Sequence, residues 1–164
     1  MNIHFNADEI FQMAEQMERN GAKFYRRVAE GAADPQPRQL LLDLAVMEDD
    51  HEKIFAAMRT GLSHREREGI VFNPEDETAS YLRAIANEHV FDVKADPAEF
   101  LTGQETMEEV IQTAIGLEKD SIVFYLGIKD MVPEKLGKIR IENIIEEEMG
   151  HIASLSEALA SLNQ

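Results

Sequence analysis

Two short strings in this chain have the makings of a metal site: Glu48-x-x-His51 and Glu148-x-x-His151. Three residues along an α-helix is about 300° of rotation, so each Glu and its His project from one face, one turn apart. Glu18 and Glu118 precede the two strings. One Glu from each of two helices plus a Glu-x-x-His from each of two others is the ligand set of a di-metal carboxylate site inside a four-helix bundle. The charges balance: the four carboxylates of Glu18, Glu48, Glu118 and Glu148 offset two divalent cations, and the neutral imidazoles of His51 and His151 add nothing. Oxygen and imidazole ligands without sulfur suit iron or manganese and fit structural zinc less well. Taken singly, each acid in a chain with 32 Asp and Glu is an ordinary solvated helix-face residue. The completeness of the set outweighs that.

The two strings belong to a repeat. Sliding the chain by 100 residues superimposes residues 8 to 62 on 108 to 162 without a gap, with nine identities in 55 positions. Ordinary composition gives about one match in sixteen, so the number alone means little. Which residues match means more: Glu18, Glu48 and His51 meet Glu118, Glu148 and His151, and Phe24 and Tyr25 meet Phe124 and Tyr125. Tyr25 and Tyr125 lie two turns after Glu18 and Glu118, nearly on the same stripe. From there each hydroxyl could reach a ligand carboxylate of the opposite helix pair and orient it; the alternative is an amphipathic core tyrosine.

Four long helices must position these groups. Ile10, Met13, Ala14, Met17, Phe24 and Val28 make the apolar stripe of the first, with Asn6 as N-cap and Gly31 as stop. The second runs from Pro35 to about Met58 and ends near Gly61; Thr106 and Glu109 form a capping box for the third, which continues to about Lys129; Pro133 suits the first turn of the fourth, which runs to about Leu162. The expected organisation is one domain over residues 1–164: a helix pair 6–61, a crossover 62–105 and a helix pair 106–162. A connection of that length is no turn and is expected to cross the bundle lengthwise. Within it, a short helix from Glu75 to Val90 would dock through Tyr81, Leu82, Ile85, Ala86, Val90 and Phe91. Leu41, Leu44, Ala45, Ile54 and Phe55 surround Glu48 and His51, and Ile141, Ile144, Ile145, Ile152 and Leu155 surround Glu148 and His151. That places the ligand set inward, where unpaired carboxylates would be costly. Asp49, Asp50, Glu52, Glu146 and Glu147 read as solvated acids, and His4, His64 and His89 as surface or loop residues.

Composition removes several alternatives. Without cysteine there is no disulfide framework, zinc-thiolate site, iron–sulfur cluster or thiol nucleophile. A formal charge of −16 disfavours nucleic acid and anionic membranes as partners. No stretch approaches the roughly 18 apolar residues of a spanning helix, and the N-terminus does not read as a secretory signal, so the expected compartment is the cytoplasm.

These motifs, E-x₅-FY followed by E-x-x-H and both again, resemble the ferritin-like superfamily of di-iron carboxylate proteins, and within it the rubrerythrin-related proteins. The stretch YLRAIANEHVF also resembles the connecting segment of rubrerythrin-type sequences. The resemblance implies an all-α, ferritin-like antiparallel four-helix bundle whose Glu18, Glu48, His51, Glu118, Glu148 and His151 hold two irons, manganese or zinc being the alternatives. Glu48 and Glu148 would bridge the ions, and Glu18 and Glu118 would be terminal ligands. Two features depart from the family pattern. No cysteines are present to form a rubredoxin-type electron-delivery domain, so turnover would need a separate electron donor protein. An extra glutamate that rubrerythrins carry one turn after the third-helix ligand is Ser121 here, with Gly21 as its repeat mate, which brings the set closer to the bacterioferritin ferroxidase centre. The expected function is oxidation of Fe²⁺ or reduction of O₂ or H₂O₂ by a homodimer, in an oxidative-stress or iron-handling role. Iron storage without turnover, and a structural bundle with a vestigial site, are the alternatives.

Overall fold

The fold follows from where each helix starts and stops. A computed structural model describes residues 6–68, 80–81, 84, 95–130 and 132–162. Among them the elements are α1 (Ala7–Gly31), α2 (Pro35–Thr60), α3 (His64–Glu68), a 3₁₀ turn (Pro97–Phe100), α4 (Met107–Lys129), a second 3₁₀ turn (Glu134–Leu136) and α5 (Lys138–Leu162), with no strand. Asn6 and Glu9 form a reciprocal capping box at the head of α1: the Glu9 amide donates to the Asn6 side chain at 2.8 Å, and the Asn6 amide donates back to Glu9 at 3.0 Å. Thr106 and Glu109 do the same for α4. Each box satisfies backbone donors that a helix start leaves open. Asp34 caps α2, whose first residue is Pro35.

The fourth long helix begins later than its proline suggests. Pro133 has extended backbone and leads into the 3₁₀ turn instead of α5; Gly137 then takes a left-handed φ of 109° before α5 starts at Lys138. Pro133 fits a helix start but does not force one. The left-handed residue does force a break, because only glycine adopts that φ without strain. Met58 packs against the same spot, its Sδ only 3.3 Å from where a Gly137 Cβ would lie.

The long helices form two antiparallel pairs, α1 with α2 and α4 with α5. The direction of the first pair is visible in its ion pairs: Asp8 meets Arg59 at 3.0 Å, Arg19 meets Glu52 at 2.7 Å, and Arg26 meets Asp49. Apolar residues from both pairs gather into two separate clusters. One contains Ile10, Phe11, Phe55, Phe124, Ile128 and Ile141; the other contains Phe24, Leu41, Leu44, Val110, Ile111 and Leu155. Eleven of the twelve are at most 2% exposed and Val110 is 6% exposed, so the bundle is held by hydrophobic burial at two levels.

The crossover leaves α2 beside the start of α1, where Arg67 of α3 binds Asp8 at 2.9 Å. It rejoins α1 at mid-length: the Asn20 side-chain amide donates to the Ala95 carbonyl at 2.9 Å, and Lys23 pairs with Asp96. Most of the short helix expected over 75–90, with Leu82, Ile85, Ala86, Val90 and Phe91 of its docking face, lies outside the described residues. Tyr81 is described, and it docks on α4, donating to the Val123 carbonyl at 2.6 Å. Gly127 provides its seat, because a Cβ there would overlap the Tyr81 ring. Gly127→Ala should therefore lower stability by about 1–3 kcal/mol through overpacking, against up to about 1 kcal/mol gained in helix propensity. Thermal melts should show a lower midpoint for Gly127→Ala, and much of the loss restored when Tyr81→Ala is added. A single variant as stable as the parent would refute this seat.

Candidate metal centre

The six sequence-predicted ligand residues meet between the two apolar clusters. Glu18 comes from α1, Glu48 and His51 from α2, Glu118 from α4, and Glu148 and His151 from α5. None is more than 3% exposed. The apolar stripes noted in the sequence turn these faces inward, and the capped helices leave little freedom for them to slide.

Two overlapping groups result. Glu18, Glu48, His51 and Glu148 each offer a ligand atom within 4.8 Å of one another, and so do Glu48, Glu118, Glu148 and His151. Glu48 and Glu148 belong to both, the position that bridging carboxylates must occupy. His51 Nδ1 lies 3.2 Å from Glu148, 3.6 Å from Glu18 and 3.8 Å from Glu48. His151 Nδ1 lies 2.8 Å from Glu148, 3.3 Å from Glu48 and 3.5 Å from Glu118. The two imidazoles stack with ring centroids 5.7 Å apart, following the pseudo-two-fold relation of the repeat.

Tyr25 and Tyr125 reach across the bundle to carboxylates of the opposite helix pair. The Tyr25 hydroxyl donates to Glu118 and that of Tyr125 to Glu18, so each hairpin orients the other's single carboxylate. Burial, reinforced by those neighbouring carboxylates, pushes both phenols well above their usual range and keeps them neutral donors.

The electrostatics show what the ligand set demands. Burial and the charge of Glu48 push Glu18 well above the usual carboxylate range, and burial with the charge of Glu18 pushes Glu148 up to about 8. Burial acts against the charged form of His151, but Glu118, Glu148 and Glu48 outweigh it and push the imidazole up to about 12; His51 is raised by the same competition. Burial would raise Glu118 too, yet the neighbouring His151 and the hydrogen bond from Tyr25 bring it below its ordinary value. In plain terms, protons serve as counter-ions among four carboxylates that cannot all be ionised without one.

Hydrogen bonding does not satisfy the same atoms. Glu48 Oε1, both oxygens of Glu148, Nδ1 of His51 and both nitrogens of His151 are buried with no hydrogen-bond partner among the described residues. Buried polar groups are almost always paired. Orphaned oxygen and nitrogen lone pairs from α2 and α5, meeting the carboxylates of α1 and α4, fit a pair of hard or borderline divalent cations in donor type, number and charge.

Some contributors were not evident beforehand. Glu147, expected to be a solvated acid, lies 2.7 Å from His51 Nε2. The rule that a ligating imidazole usually gives its far nitrogen an acceptor was the signal that could have found it. Asn20, Gly21 and Ser121 join Tyr25, Glu48 and Glu118 in lining a cavity of about 270 Å³ beside the centre. A Cβ on Gly21 would lie 3.5–3.6 Å from the Glu48 side chain. The small residues at 21 and 121 thus leave open space where larger side chains would stand against the ligands. His64 sits exposed on α3, and His4 and His89 lie outside the described residues.

Comparison with known proteins agrees with this geometry. No curated protein matches the chain. A crystal structure at 2.30 Å of a Thermotoga maritima protein, described as a ferritin-like diiron-carboxylate protein, matches with a TM-score of 0.69 and 26% identity over 96% of each chain. The family model for rubrerythrin matches residues 9–160. With a duplicated Glu/Glu-x-x-His set buried at the heart of a ferritin-like four-helix bundle, the chain belongs to the rubrerythrin family.

Proposed function

We propose that the protein is a di-iron oxidoreductase that oxidises Fe²⁺ or reduces O₂ or H₂O₂, in iron handling or protection from oxidants in the cytoplasm. The observation that carries this reading is the set of unpartnered, buried donor atoms on Glu48, His51, Glu148 and His151, arranged as two overlapping four-ligand groups. An iron pair bound there supplies the electrons that reduce the oxidant. The protein residues do the rest. Glu48 and Glu148, which belong to both groups, would hold both ions, Glu18 and Glu118 would each hold one, and Tyr125 and Tyr25 keep those two carboxylates in place. The apolar clusters on either side exclude bulk water, and the cavity by Gly21 and Ser121 admits a diatomic oxidant or peroxide. Electrons for repeated reduction of the oxidant come from a separate donor protein.

Anaerobic titration should load two Fe²⁺ per chain, and admitting O₂ or H₂O₂ should then produce the near-ultraviolet absorption of ferric iron. Two bound irons with no spectral change on either oxidant would sink the redox reading. Glu48→Ala or Glu148→Ala should abolish loading of both ions, because each carboxylate serves two; retention of one ion in either variant would defeat the bridging assignment.

The raised pKa values set a pH dependence. A group whose folded pKa is raised contributes stability below its unfolded value and loses it as pH climbs to the folded one. Glu148, titrating near 4.5 unfolded and about 8 folded, and His151, 6.5 unfolded and about 12 folded, both act in this direction. The metal-free protein should therefore melt at progressively lower temperature between pH 6 and 9. Saturating Mn²⁺ should flatten or reverse that slope, because cations replace protons more readily as pH rises. Parallel slopes with EDTA and with Mn²⁺ would contradict the assignment of the site.

A further inference from the structure

The repeat makes the inner faces of the two histidines alike and their outer faces different. His51 turns Nδ1 towards Glu18, Glu48 and Glu148, and its Nε2 lies 2.7 Å from a carboxylate oxygen of Glu147. His151 turns Nδ1 towards Glu48, Glu118 and Glu148, but its Nε2 is buried without a hydrogen-bond partner among the described residues. Under the 100-residue shift the counterpart of Glu147 is Met47, so the repeat supplies no carboxylate at the matching position. A thioether is a weak acceptor and carries no charge.

A carboxylate on the far side of a ligating imidazole does two things. It holds the proton on Nε2, leaving the Nδ1 lone pair free for the ion, and it raises the basicity of that lone pair. His51 has this support and His151 does not. A second observation points the same way. The cavity beside the centre is lined by Glu48, which both groups share, and by Glu118 and Tyr25, the last of which orients Glu118; Glu18, His51, Glu148 and His151 do not line it. Of the two end carboxylates it therefore meets Glu118 and not Glu18.

From these two asymmetries we infer that the metal positions are unequal: the position of Glu18 and His51, backed by Glu147, holds its ion tightly, and that of Glu118 and His151 is the one that exchanges through the cavity. Glu147 is a positioning residue, acting on the ion through His51. The inference rests on the di-metal reading and refines it by giving the two ions different residence.

Calorimetric titration of the metal-free full chain with Mn²⁺ alone, under argon, tests it. The parent should show two steps separated by tenfold or more. Glu147→Gln should weaken the tighter step by about tenfold to a hundredfold, the usual effect of losing such a partner, and leave the weaker step in place. Met47→Glu should strengthen the weaker step and bring the two together. Glu147 has a half-exposed side chain, so the melting temperature of metal-free Glu147→Gln should match the parent. If Met47→Glu does not fold, the parent and Glu147→Gln decide between the outcomes. Two steps of equal affinity in the parent, or both steps weakened alike by Glu147→Gln, would overturn the inequality while leaving the di-metal site standing. No Mn²⁺ binding by the parent would overturn the site itself.

Discussion

Four carboxylates buried at one point repel one another, and water is not there to screen them. Everything else in this bundle is arranged around that constraint. The cost of ionising an isolated buried acid is so large that the group takes a proton or finds a positive partner. Here Glu148 and Glu18 are driven towards protonation and both imidazoles towards their charged form. Such a centre is poised to trade protons for cations, and the donor atoms left without hydrogen bonds are the ones that face the trade.

The scaffold makes this arrangement tolerable by separating tasks along the bundle. Hydrophobic burial sits above and below the polar centre, in clusters built around Phe11, Phe55 and Phe124 on one side and Phe24, Leu41 and Ile111 on the other. Tyr25 and Tyr125 then tie the levels together, since each ring packs in an apolar cluster while its hydroxyl holds a carboxylate from the opposite hairpin. Rigid apolar packing thus becomes positional accuracy at the ligands.

Much of this was legible in the residues. Helical periodicity, the capping boxes at Asn6/Glu9 and Thr106/Glu109, and the spacing of Glu48/His51 and Glu148/His151 each carry their own geometric meaning, so the four long helices and the converging ligand set could be read without coordinates. The start of α5 could not. Pro133 is compatible with either a helix or a turn, and the decision lies with Gly137, whose left-handed backbone packs against Met58 from another helix. Glu147 was missed for a related reason. A half-exposed acid next to Glu148 looks like any solvated neighbour until α2 and α5 are placed side by side and His51 is found against it. Local rules identify what a segment is; contacts across helices identify what a residue touches.

The long crossover joins two hairpins that could, on the logic of their shared pattern, have met as separate identical pieces. Identical pieces related by a true rotation axis must present the same chemistry to both ions, whatever their sequence. A covalent tether lifts that obligation, because position 47 and position 147 can then be occupied by different residues. Joining the halves in one chain thus permits asymmetry at no expense to the fold, and leaves each half of the centre free to specialise.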